Sequence, residues 1–281
     1  MTKRPILASF RGMPASDGAG VRLTRMLGTP QLPDLDPFLM LDQFRSDDPN
    51  DYIAGFPDHP HRGFETVTVM LAGRMRHADS RGNEGVIEPG GVQWMTAGRG
   101  IVHSERPEQA DGLMWGFQLW LNLPAAHKMA DPGYQEFDAT RIPDEKRDSA
   151  MLRVIAGETD RGTVGVARSV VEPILLDVSL EPGATFAENI GDDRNAFAAI
   201  YAGALSANDL DGEPVTVSDP DLAVFGRGDE IAVTAGPNGA RFLLGAARPL
   251  REPVARHGPF VMNTDSELRE AFRDFQSGRF A

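Results

Sequence analysis

The chain has 281 residues, 41% of them hydrophobic, which is enough to bury the core of one large or two ordinary domains. Its formal charge of −13, from 41 acidic against 28 basic residues, disfavours direct binding to nucleic acid or to an anionic membrane surface. With no cysteine there is neither a disulfide framework nor a thiolate ligand, so any metal must be held by histidine and carboxylate.

The N-terminal apolar run is too short for a secretory segment and no stretch approaches a bilayer span, so a cytoplasmic location is expected. Short β-like runs then alternate with glycine and proline turns up to about Asp51, among them Val21 to Leu27 and Phe38 to Phe44. The β signal is strongest from Phe56 to Pro124. There Val67, Val69 and Leu71 alternate with Thr66, Thr68 and Met70, and Leu113 to Leu121 is apolar on both parities, as in a strand buried on both faces. Gln118 interrupts that run; it either bonds a neighbouring backbone group or points into a cavity, and the structural role is the expected one.

Two pairs in this region carry chemistry. His59 and His61 form an H-x-H, and His103 and Glu105 an H-x-E. In a strand, residues two apart project to the same face, so two such strands set against each other aim three imidazoles and a carboxylate at one point. Nitrogen and oxygen donors of this kind suit a first-row divalent ion with positions left open for substrate.

Residues Pro124 to Ser149 are polar and carry prolines, which predicts a connection between lobes, with His127 on the surface. The second half repeats the first: Ala196 to Gly203 matches Val67 to Gly73, and Leu222 to Gly228 echoes the approach to Gly98-Arg99-Gly100. Two β-barrels related by duplication follow. Aligning the repeats puts Asn189 and Gly191 at the places of His59 and His61, and Ile231 and Val233 at those of His103 and Glu105. One metal per chain is therefore expected, in the first lobe. Near the C-terminus, Thr264 and Glu267 predict a capping box, and Leu268, Ala271, Phe272 and Phe275 give the ensuing helix one apolar face. His257 is expected to serve a turn or packing.

The motifs from Pro57 to Thr68, Ala97 to Glu105, Gln118 to Pro124, and Arg251 to Val254 with His257 to Thr264, resemble the pirin family of the cupin superfamily along nearly the whole chain. The resemblance implies an all-β bicupin. Two antiparallel, jelly-roll-like β-barrels are expected, 1–132 carrying the metal and 133–281 lacking ligands, with a short α-helix from about 264. It also implies that His59, His61, His103 and Glu105 hold one divalent ion, usually Fe(II), and that Glu105 doubles as the catalytic base. Some members resemble quercetin 2,3-dioxygenase, opening a flavonol ring with O2. Others are iron-dependent, redox-sensing transcriptional co-regulators that act through a protein partner. Phe64, Met95 and Phe117 are candidates for the cavity lining.

Overall fold

A computed structural model describes residues 1–280. Strands dominate, and those within each sheet pair antiparallel. The chain divides into two compact units, each drawn from three stretches. Met1–Met13, Thr29–Asp36 and Thr140–Pro249 form one; Pro14–Gly28, Pro37–Ala139 and Leu250 to the C-terminus form the other.

Most of the first unit lies after residue 139 and most of the second before it, and each also takes a stretch from the opposite end of the chain. The strand Ile6–Arg11 pairs with Asp221–Phe225, placing Phe10 opposite Leu222, so the N-terminus belongs with the later repeat. Periodicity shows which residues of a strand face a core but not which sheet the strand joins. The expected connection also contains strands: Gly133–Phe137 extends a sheet edge beside Val92–Thr96, and Asp144–Arg147 pairs with Ala150–Ala156. Edge strands tolerate the polar composition that read as a linker.

The unit containing the two histidine motifs has a seven-stranded and a four-stranded sheet. The smaller runs in the order Phe56–His61, Ile101–Pro107, Met75–Asp79, Glu84–Ile87. Neither sheet closes on itself, so this jelly roll is an open sandwich rather than the closed barrel the sequence suggested. Leu23, Phe44, Met70 and Met114 of the larger sheet pack on Met75 and Ile87 of the smaller. Near that core runs Phe64–Ala72, buried on both parities from Phe64 to Met70.

The other unit has an apolar core. Leu152, Val178, Phe186, Leu205 and Phe242 pack into one apolar cluster that also contains Ile231 and Val233, the counterparts of His103 and Glu105. One buried network there centres on Arg147, which donates to Glu145 and to Glu188, both at 2.5 Å, while Thr159 donates to Glu145. Glu188 is fully buried, and desolvation pushes its carboxyl up to about 7.

The helix Asp265–Gln276 begins at Thr264 with the predicted capping box, Thr264 Oγ1 accepting from the Glu267 amide while the Glu267 carboxylate accepts from the Thr264 amide. Leu268 and Ala271 are buried, but Phe275 is 41% exposed, so the docked face is narrower than its spacing predicts.

Removing one member of a buried ion network strands the others without a partner, at a cost of several kcal/mol. The Arg147→Ala variant should lose roughly 3 kcal/mol of stability, measured by urea denaturation, whereas Arg74→Ala, which breaks an exposed pair with Glu88, should lose less than about 1 kcal/mol.

Candidate metal centre

The His59 strand lies at the edge of the four-stranded sheet. That placement accommodates Pro57 and Pro60, which have no amide to donate to a second neighbour. Its one partner is Ile101–Pro107, in a register that sets His59 opposite His103 and His61 opposite Ile101. Cross-strand neighbours and the two-residue period together gather the imidazoles of His59, His61 and His103. Ring centroids are 4.6 Å apart for His59 and His61, 4.4 Å for His59 and His103, and 5.1 Å for His61 and His103. One nitrogen from each ring falls within 4.8 Å of the others, and among the described residues this is the group so arranged to hold an ion.

Burial keeps two of these rings, His61 and His103, neutral. His61 and His103 are 2% and 1% exposed, and their basicity falls well below the ordinary histidine range. Burial is the main cause and the neighbouring imidazoles add to it; for His61 the Pro259 backbone opposes the shift weakly, and for His103 Asp79 and Asp58 do. His59 donates from Nδ1 to the Pro57 carbonyl at 2.8 Å, which leaves the Nε2 lone pair for a ligand. His61 is wedged edge-on against Phe64 and Trp120.

All four ring nitrogens of His61 and His103 are buried without a well-formed hydrogen bond. Buried polar atoms are normally paired. A divalent cation bound by nitrogen lone pairs fits this donor set, and the residues present are the ones that would hold it.

Glu105 is brought close but does not join the three imidazoles as a fourth member of the group. It is 1% exposed, and its two oxygens accept from Thr68 Oγ1 at 3.1 Å and from Gln118 Nε2 at 2.7 Å. Gln118 therefore bonds a side chain rather than the expected backbone group, and it also faces the cavity. Trp120 Nε1 approaches Gln118 Oε1 at 3.4 Å, so Trp120 and Gln118 on the larger sheet form a chain that reaches across to Glu105 on the smaller.

A cavity of about 650 Å³ opens onto His59 and His61. Leu23, Met40, Phe44, Phe56 and Trp120 give it an apolar wall; Arg25 and Asp42, in a two-pronged ion pair, and Arg256 add charge. Phe64, Met95 and Phe117 do not line it; all three are fully buried in the sandwich. Spacing places them correctly in strands but does not distinguish a packed interior from a hollow one. His257 is exposed and its ring rests on Phe272, while the residues beside it, Arg256 and Gly258, reach the cavity. Trp120 sits in the Gln118 to Pro124 motif without an assigned role, and Arg25 carries no motif. A larger hollow, about 1080 Å³, lies on the other unit and has no histidine in its lining.

No helix among the described residues is long and apolar enough to cross a membrane. Residues 20–121 match the family model described as Pirin, and residues 175–281 match that of the pirin C-terminal cupin domain. A pirin-like protein of Caulobacter vibrioides is 56% identical over all of both chains. A Pseudomonas aeruginosa protein provisionally named a quercetin 2,3-dioxygenase is 47% identical over 99% of this chain and 98% of its own. The solved structure of quercetin 2,3-dioxygenase from Acinetobacter baumannii superposes with a TM-score of 0.90 at 33% identity, covering 99% of each chain.

Two predictions follow from the cluster itself. Metal-stripped protein reloaded with Fe(II) under argon should bind one equivalent by elemental analysis, and His103→Ala should retain none after desalting. Because burial holds His61 and His103 neutral, the unfolded chain binds more protons than the folded one below a pH of about 6.5. The stability this neutrality contributes is complete above that pH and is lost as the pH falls below it. The melting temperature of the metal-free protein should drop on acidification from about pH 7 to pH 5, and His103→Asn should flatten the drop.

Proposed function

This chain belongs to the pirin family, and from that premise we propose that it is a metal-dependent dioxygenase that opens the central ring of a flavonol with O2. The observation that carries the reading is the cluster of three imidazoles, two of which face an aromatic-walled cavity of flavonoid size. The likeness to quercetin 2,3-dioxygenase over the whole chain supports the reaction class.

His59, His61 and His103 would hold the ion, Fe(II) in this proposal, and Glu105 would stand at the fourth position or beside it. When bound, the ion supplies Lewis acidity toward the flavonol 3-hydroxyl and redox access to O2. The remaining work belongs to the chain. Trp120 and Phe56 line the cavity, and its apolar wall excludes water from a planar ring system bound there. Glu105 takes the hydroxyl proton. Thr68 and Gln118 hold its carboxylate in place while leaving each oxygen a second lone pair for that proton. Both atoms of O2 enter the ring-opened product, and one ring carbon departs with its oxygen as carbon monoxide.

The test is oxygen uptake by the Fe(II)-loaded protein with quercetin, together with detection of carbon monoxide. Turnover should require both metal and flavonol. Glu105→Gln, which preserves the shape and both neighbours, should lower kcat by about a hundredfold or more while the protein still binds metal. No uptake by fully loaded protein across a panel of flavonols would set the dioxygenase reading aside.

A further inference from the structure

The residue after His61 ties the metal strand to the far end of the chain. Arg62 is 3% exposed, and its guanidinium has three different partners. Nε donates to the Arg99 carbonyl at 2.5 Å, Nη1 donates to Asp274 Oδ2 at 2.9 Å, and the guanidinium carbon sits 4.5 Å over the Phe280 ring. Asp274 lies on the terminal helix and Phe280 just beyond it. One side chain therefore grips the helix, the tail and the loop that leads into the His103 strand.

The backbone at the same point is gripped as well. The Arg62 carbonyl accepts from the Val261 amide at 3.0 Å, and the Gly63 carbonyl accepts from Lys128 Nζ at 2.7 Å. Lys128 is 1% exposed and also donates to the Val261 carbonyl and to Asn122, so its ammonium bolts both strands together. Gly63 has a φ of 88°, and a Cβ there would collide with the Val261 carbonyl. A Cβ on Gly100, between Arg99 and the His103 strand, would likewise collide with Phe280. The fit on both sides of the imidazole cluster leaves no space for an independent shift. Downstream of the same segment, Arg256, Gly258 and Pro259 wall the cavity beside His61.

From these contacts we infer that Arg62 is a positioning residue for the metal centre, and that through Asp274 and Phe280 it couples occupancy of His59, His61 and His103 to docking of the terminal helix. The inference rests on the metal reading proposed above but not on the dioxygenase reaction. Coupling between two linked sites is reciprocal: whatever the clamp adds to metal affinity, bound metal adds to helix docking.

The experiment uses the full chain, metal-stripped and titrated with Co(II), whose visible absorption reports coordination, with hydrogen exchange of the helix 265–276 followed with and without the ion. In the wild type, Co(II) should slow exchange across the helix. Asp274→Asn, which keeps the shape of the side chain and removes its charge, should weaken Co(II) binding about tenfold, a typical coupling between linked sites, and should abolish the effect of the ion on helix exchange. Phe280→Ala should act in the same direction. Glu88→Gln, at an exposed ion pair of the same unit, should change neither. Co(II) binding that is equally tight in Asp274→Asn, or helix exchange indifferent to the ion in the wild type, overturns the coupling alone. Absence of Co(II) binding in the wild type overturns the metal reading and the coupling with it.

Discussion

Burying a polar atom without a partner costs about 1–3 kcal/mol, and this fold does so four times at one point, at both ring nitrogens of His61 and of His103. The surrounding strands make those rings neutral, hold them near a third, and leave their lone pairs unused by the protein. A cation bound there would take up one lone pair from each ring. The aromatic wedge of Phe64 and Trp120 against His61, the paired strands carrying His59 and His103, and the Arg62 anchor all serve that one convergence.

The two repeats set different side chains at matching positions of one architecture. In the later repeat, Ile231 and Val233 complete an apolar core and the buried carboxylates of Glu145 and Glu188 are both paired with Arg147. In the earlier repeat the matching strand carries His103 and Glu105, and a cavity reaches the cluster. Side-chain chemistry marks the difference: aliphatic residues at these positions join an apolar core, while the imidazoles of the earlier repeat gather toward a shared point. Stability and chemistry are thereby divided between copies, and each copy is free of the other's constraint.

Much of this was legible in the residues. The i, i+2 spacing of His59 with His61, the glycines flanking both motifs and the loss of histidine from the later repeat located the cluster, because strand geometry converts spacing directly into facing. The capping box at Thr264 and Glu267 was equally plain, since its partners are neighbours in sequence. What was not legible depends on long-range pairing. Nothing local assigns Ile6–Arg11 to the later repeat, marks Lys128 as buried beside an ordinary-looking His127, or tells Trp120, which faces a cavity, from Phe117, which does not. Gln118 could be recognised as anomalous, but its partner, Glu105, lies across the sandwich and appears only once the two sheets face each other.

Crystals of the Fe(II)-loaded protein, with anomalous diffraction collected on either side of the iron absorption edge, give the most direct test of the convergence. The account predicts one strong peak per chain, about 2.0–2.2 Å from a ring nitrogen of each of His59, His61 and His103. A peak seated among the residues of the later repeat, or three imidazoles turned away from an ion bound elsewhere, would contradict it.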